Sequence, residues 1–201
     1  MTQFQGPPGD GAAIDGRRQR TVDSRARIIS AMVELTEAGH VGASAELVAE
    51  RARVGLRTVF RHFKDMDSLY REMSQTVERR LRDETSFAFV STDWRGRLDE
   101  LIRRRATVFE KLSPFKRAEA AYRHRSVGIG QDISRANALF RGVLRDVVRG
   151  AVADDGLLFE TLDMLLSYDT WERLRREQGL SEARAREVLE TTIARILPPP
   201  E

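Results

Sequence analysis

The chain has 201 residues, 34 Lys and Arg against 31 Asp and Glu, and a formal net charge of +3. It has no cysteine, which excludes disulfides and thiolate metal sites, and its three histidines, His40, His62 and His124, stand too far apart to suggest a ligand set. No run reaches the ~18 apolar residues of a membrane span, and Met1 to Gly16 lacks the basic and apolar regions of a secretory signal, so a cytoplasmic protein with no metal or cofactor is expected.

Residues 1–19 are rich in Gly, Pro and small side chains and are expected to form a disordered arm. Its basic end, Arg17, Arg18 and Arg20, suits a DNA backbone or minor groove, and equally a solvated charge run. Asp23 suits the N-cap of a first helix reaching Ala38, where Ile28, Ile29, Met32, Val33 and Leu35 recur at helical spacing and Gly39 ends the run. Arg25 or Arg27 on this helix is available to phosphate.

Residues 43–70 read as two short helices with a tight corner and the start of another. Ser44 caps the first helix, whose apolar face is Leu47, Val48 and Ala52, and Arg53-Val54-Gly55 form the corner. The second helix, Leu56 to Phe63, is expected to bury Leu56, Val59 and Phe63 and to turn Arg57, Thr58, Arg61 and His62 outward. That layout is a helix-turn-helix, whose second helix enters the DNA major groove. Arg53, Arg57, Arg61 and Lys64 stand there with no Asp or Glu among them, as a helix between phosphate rows requires. Residues 17–64 carry ten Arg/Lys against five Asp/Glu, which concentrates the positive charge on this segment.

Asp65 suits the cap of a fourth helix in which Leu69, Met73, Val77 and Leu81 step by four. The boundary between a DNA-binding domain, 20–73, and a second domain, 74–201, is expected inside that helix near Ser74. Further helices are expected to start after Ser91-Thr92-Asp93, to stop and restart at Ser113-Pro114, and to follow a break at Val127-Gly128-Ile129-Gly130. Asp154-Asp155-Gly156 reads as a turn before an uninterrupted helix from Leu157 to Glu177, and Ser181 caps a last helix ending at Pro198. No strand alternation appears, so the chain is expected to be all-α with about nine helices. It has no Gly-rich phosphate loop, zincin motif or nucleophile–His–Asp arrangement, and no enzyme is expected.

The run Val48-Ala49-Glu50-Arg51-Ala52-Arg53-Val54-Gly55-Leu56-Arg57-Thr58-Val59-Phe60-Arg61-His62-Phe63 resembles the DNA-binding signature of the tetracycline-repressor (TetR) family. That pattern is roughly I-A-x-x-A-G-V-S-x-x-T-[LI]-Y-x-[HY]-F, then x-x-K-[ED]-x-L. Arg53 replaces the corner Gly, Gly55 the capping Ser, Phe60 the usual Tyr and Met66 the usual Lys. The resemblance covers about Thr21 to Leu197, is specific at its start and loose afterwards, and includes Trp171 to Ser181. It implies DNA contact by Ser44, Arg53, Arg57, Thr58, Phe60, Arg61, His62 and Lys64 on a double-stranded operator.

It further implies a helical C-terminal domain that encloses a small-molecule effector and forms a homodimer. Phe109, Phe115, Tyr122, Phe140, Met164, Tyr168 and Trp171 are candidate pocket residues, with the cavity expected between the fourth helix and those carrying Phe109, Phe115 and Phe140. Ordinary core packing is the simpler account of any single one of these residues. Leu162, Leu166, Val188, Leu189, Ile193 and Ile196 are candidate dimer residues. Arg123, His124 and Arg125 suit either an acidic ligand or a solvated face. The expected function is a ligand-responsive repressor; a ligand-independent architectural DNA binder, or a small-molecule-binding helical protein with a vestigial helix-turn-helix, fits the same residues.

Overall fold

The computed structural model describes residues 11–85, 88–122, 127–152 and 156–199. Every regular element among them is helical: α1 (Gly11–Glu37), α2 (Ala45–Ala52), α3 (Leu56–His62), α4 (Met66–Thr85), α5 (Trp94–Tyr122), α6 (Val127–Val147), α7 (Gly156–Leu165), α8 (Tyr168–Glu172) and α9 (Glu182–Ile196). A π-helical turn, Arg173–Glu177, continues α8. The chain divides into two compact units, residues 1–75 and 76–201, and the division falls within α4.

In the first unit α1 starts at Gly11 rather than near Asp23. The expected arm is therefore helical from Gly11, while residues 1–10 and the side chains of Arg17, Arg18 and Arg20 lie outside the described residues. Asp23 caps nothing; it accepts a hydrogen bond from Gln19 Nε2 at 2.9 Å, one turn earlier. Ala, Ile, Arg and Gln dominate residues 12–20 and no proline interrupts them, so a helix nucleated downstream extends backward at little cost per residue. At its other end α1 closes as a Schellman motif: Gly39, at φ +88°, donates to Thr36 O and His40 donates to Leu35 O, both at 3.0 Å.

The Ser44 hydroxyl accepts from Leu47 N at 3.3 Å and caps α2. Asp65 and Ser68 cap α4 reciprocally, Ser68 N to Asp65 Oδ1 at 2.8 Å and Asp65 N to Ser68 Oγ at 3.3 Å. Ile28, Met32 and Leu35 from α1 bury with Val48, Val59, Phe63, Leu69 and Met73. Each such side chain contributes about 1.5–3 kcal/mol, which offsets the poor intrinsic stability of helices as short as α2 and α3.

The second unit is organised on α5, against which α6, α8 and α9 pack. Asp93 Oδ1 caps it through Gly96 N at 2.9 Å. Pro114, expected to end this helix, lies inside it. An interior proline costs about 3 kcal/mol, but Val108, Phe109, Leu112, Phe115 and Ala118 form one buried stripe on both sides of it, and breaking the helix would expose half of that stripe. The glycines expected to precede α6 are likewise in its first turn. Gly128 and Gly130 cost ~1 kcal/mol each there, less than α6 regains by burying Ala136, Leu144 and Val147.

The helix expected over Leu157 to Glu177 is in fact divided. Ser167 accepts from Thr170 N at 3.2 Å, which starts α8, and its hydroxyl donates back to Met164 O at 2.8 Å, which closes α7. The hydroxyl thus competes locally with the backbone ladder, a signal hidden inside an apolar period. Nine α-helices among the described residues match the expected number because the join at Pro114 and the split at Ser167 offset each other.

Arg53 carries the backbone strain of the first unit, at φ 53° and ψ 49°. A left-handed non-glycine residue costs about 1–2 kcal/mol, of which glycine would return part as unfolded-state entropy. Arg53→Gly is therefore expected to stabilise the chain by ~0.5–1 kcal/mol, read as a higher urea midpoint with unchanged slope.

Candidate nucleic-acid interface and effector cavity

Seven residues give α3 nearly two turns. Val59 and Phe63, 1% and 3% exposed, define its inner face. The remaining positions turn Arg57, Phe60, Arg61 and Lys64 into solvent. Leu56, expected to be buried, is 38% exposed: three residues before Val59, it lies roughly 60° around the helix from the inward direction. The outer face of α3 is therefore two apolar side chains, Leu56 and Phe60, among cations, with Arg53 added at the corner. No ion pair among the described residues engages Arg53, Arg57, Arg61 or Lys64. Thr58 is half-buried at the edge of this face, and exposed Ser44 stands at the capped start of α2.

Arg25 is used differently from the expectation. Its Nε donates to Glu72 Oε1 at 3.1 Å, one terminal nitrogen pairs with Glu72 Oε2, and the other donates to His62 O at 2.7 Å. The guanidinium also lies 4.5 Å over the Phe63 ring. Arg25 thus holds the C-terminal carbonyl of α3 to α1 and α4, and no sequence spacing signals a tie spanning 37 residues. His62, expected to point outward, is half-buried, and its Nε2 is buried without a partner. Burial, then the neighbouring charges of Arg61 and Arg25, holds its pKa below the usual histidine range.

Two hollows lie among the described residues of the second unit. The larger, about 700 Å³, lies among α4, α5 and α6 and is walled by Leu81, Leu101, Val108, Leu112, Leu139 and Phe140. Leu139 and Val143 are exposed on its rim, so it is an open groove. Ala88 and Phe89 complete the wall. Their loop is held by Glu100, which accepts from Ser91 N at 2.7 Å and Val90 N at 3.1 Å, and by Arg104, which donates to Ala88 O at 2.9 Å. The Ser91 hydroxyl, then the Ser91 and Val90 amides, hold the Glu100 carboxyl down at about 2.

The smaller hollow, about 310 Å³, lies between α5, α6, α7 and α8 and is polar, with Lys116, Arg117, Asp163 and Glu172 on its walls. Phe109, Phe140 and Tyr168 line it, and Phe109 meets both other rings edge-on, at 5.4 and 5.7 Å. Of the expected pocket residues whose side chains are described, Phe140 alone lines the groove beside α4. Phe115 and Trp171 are core residues, 4% and 1% exposed, and Met164 is 60% exposed on α7. The tryptophan is anchored inward because its Nε1 donates to Glu110 Oε1 at 2.8 Å, a carboxylate that Arg175 also grips. The side chain of Tyr122, and Arg123, His124 and Arg125, lie outside the described residues.

Four of the expected dimer residues face inward within the protomer: Leu162, Leu166, Leu189 and Ile193 are 0–5% exposed. Helical periodicity registers an apolar stripe without saying which neighbour covers it, and here α7 and α9 cover one another. Val188 is half-buried and Ile196 is 37% exposed. Leu157 and Met164 on α7 are 81% and 60% exposed, further apolar side chains that the protomer leaves in solvent. Leu157 and Met164 stand seven residues apart, two helical turns, a spacing by which sequence reasoning could have found them. Among the described residues, no cluster of His, Asp or Glu could hold a metal, and no helix is long and apolar enough to cross a membrane.

An all-α chain with a helix-turn-helix unit followed by a helical unit of this size is the architecture of known transcriptional regulators. The structure is similar to that of a transcriptional regulator from Rhodococcus sp. Rha1, with a TM-score of 0.65 at 18% identity over 86% of this chain and 95% of that one. It is also similar to a TetR family transcription regulator from Marinobacter aquaeolei VT8, at TM-score 0.50 and 18% identity over 87% and 97%. The multidrug binding protein EbrR, solved in complex with imidazole, matches at TM-score 0.50 and 21% identity over 88% and 96%. No protein-family model and no curated protein matches the sequence. At these identities the likeness establishes the fold: the all-α arrangement of an N-terminal helix-turn-helix and a C-terminal helical domain.

The buried edge of His62 has a measurable consequence. Its folded pKa lies below the unfolded value of about 6.5, so above that pH the ring is neutral in both states. As pH falls from about 6.5 towards the lower folded pKa, the unfolded chain takes the proton first and stability is lost. Melting curves should show a steeper decline below pH 6.5 for the parent than for His62→Gln.

Proposed function

We propose that this protein is a DNA-binding transcriptional regulator of the tetracycline-repressor type, acting as a ligand-responsive repressor. The observation that carries the reading is the outer face of α3. Arg53, Arg57, Arg61 and Lys64 make no ion pair among the described residues and stand beside exposed Leu56 and Phe60. Cations left unpaired on a short braced helix suit phosphate rows on either side of a major groove. Arg57 and Arg61 can read guanine edges bidentately, while Leu56 and Phe60 suit thymine methyls. The His62 carbonyl, held by Arg25, ties down the end of the helix, and burial disfavours charge on its ring.

A homodimer follows from the chemistry of such sites, since two α3 helices in successive grooves read the halves of a near-palindromic operator, ~34–36 Å apart. Apolar side chains left exposed on α7 and α9, Leu157, Met164 and Ile196, with half-buried Val188, support self-association. The groove among α4, α5 and α6 supports a small-molecule effector, as does the likeness to a multidrug binding protein. Because α4 carries Met73 in the first unit and Leu81 on the groove, an effector that favours one setting of this helix would change operator affinity by its ratio of affinities for the two states.

Two measurements test these claims. In operator binding, Arg57→Ala or Arg61→Ala should cost ~1–3 kcal/mol and relax base preference, whereas Lys64→Ala should weaken all duplexes alike and reduce the salt slope by about one. Equal binding by all three variants and the parent would remove the α3 assignment. In sedimentation, Met164→Asp should give a folded monomer with lost operator binding. A parent that is itself monomeric at micromolar concentration would end the dimer claim.

A further inference from the structure

Arg105 is a buried cation that makes no ion pair among the described residues. Its side chain is 3% exposed, with one terminal nitrogen donating to Leu166 O and the other to Phe140 O, both at 2.6 Å. Its Nε has no partner. The acid it feels most strongly, Asp163, is already committed to Arg141 at 2.7 Å. Backbone carbonyls satisfy hydrogen bonds but leave the full charge uncompensated, and a buried charge without its opposite is costly. Burial accordingly pulls the guanidinium pKa down to about 10.

The position of this charge gives it meaning. Arg105, Phe140 and Lys116 line both the apolar groove and the polar hollow, so they form the wall between the two. Five charged side chains line the groove, Arg82, Arg104, Arg105, Lys116 and Glu78, four of them cationic. Arg104 is tied to Glu100 at 3.3 Å and Lys116 to Glu119 at 3.2 Å, which leaves Arg105 as the deeply buried charge of this wall without an ion pair of its own. The rest of the lining is aliphatic and aromatic.

We infer that the groove binds an amphipathic organic anion, its single carboxylate-like head compensating Arg105 and its apolar body lying along Leu101, Val108, Leu112 and Leu139. The inference rests on the reading of this unit as the effector domain, and it names the effector's chemical class. A neutral molecule of the same shape would leave the Arg105 charge uncompensated, and an amine would meet the cationic lining.

The test is calorimetric titration of the full chain with decanoate, decanol and decylamine, which share a body and differ in the head. Decanoate should bind about tenfold or more tighter than decanol, decylamine should bind more weakly than either, and decanoate should raise the melting temperature. In Arg105→Met the preference for decanoate over decanol should vanish, and in Arg105→Lys, which keeps the charge, a reduced preference should remain. If Arg105→Met does not fold, the parent head-group series and Arg105→Lys decide. Equal binding of decanoate and decanol, a preference that survives Arg105→Met, or no binding of any probe would overturn the inference. Decanoate bound through Arg105 without any change in operator affinity would uphold the anion site and end the ligand-responsive reading instead. Operator binding unaffected by a failed decanoate titration would leave the DNA-binding reading standing without the anion site.

Discussion

The second unit depends on α5 keeping its helical path through Pro114. One continuous helix places Arg105 and Lys116 on the wall between the groove and the polar hollow, three turns apart. The same helix presents Glu110 to Trp171 and Arg175, and Ser113 to Glu172 at 3.1 Å and Arg117 at 2.7 Å. A break at the proline would turn these groups away from one another. The lost backbone bond costs about 3 kcal/mol, while the stripe from Val108 to Ala118 buries several side chains worth about 1.5–3 kcal/mol each. Burial wins, and the walls of the groove and of the polar hollow stay on one helix.

The first unit applies a related rule to charge. Arginines here divide into those the fold consumes and those it leaves for something else. Arg25 is consumed: it satisfies an end carbonyl of α3, pairs with Glu72 and stacks on Phe63. Arg53, Arg57 and Arg61 do none of this and stand in solvent. A DNA-reading helix needs both kinds, because charge alone attracts phosphate without register, and a braced helix is what converts attraction into a defined docking. In the second unit Arg105 falls into neither class, being consumed by carbonyls but not neutralised.

What could be read in advance followed from how local each signal was. Ser44, Gly39, Asp65, Ser181 and the left-handed Arg53 act on the backbone within four residues of themselves, and each was legible. Ser167 was equally local but was masked by the leucines around it. The first helix was misread because small residues and glycines before Gln19 suggested disorder, although most of them tolerate a helix. The groove among α4, α5 and α6 was anticipated in place, yet of the aromatics named for it only Phe140 lines it. Trp171 and Phe115 could not be told from core residues, since an aromatic side chain facing a cavity and one facing a neighbour have the same helical phase.

The sequence by itself determined the all-α class, the helix-turn-helix with its acid-free second helix, and most of the turns and caps. Those features depend on capping groups, backbone preferences and 3.6-residue periodicity, all of which act over a few residues. Tertiary structure alone decided that Arg25 is a strut, that Leu162, Leu189 and Ile193 are covered by the protomer itself while Met164 is not, and that Arg105 is buried without an ion pair of its own. Each of these depends on which distant side chain comes within a few ångströms, and that distance is set by how the helices pack rather than by any spacing along the chain.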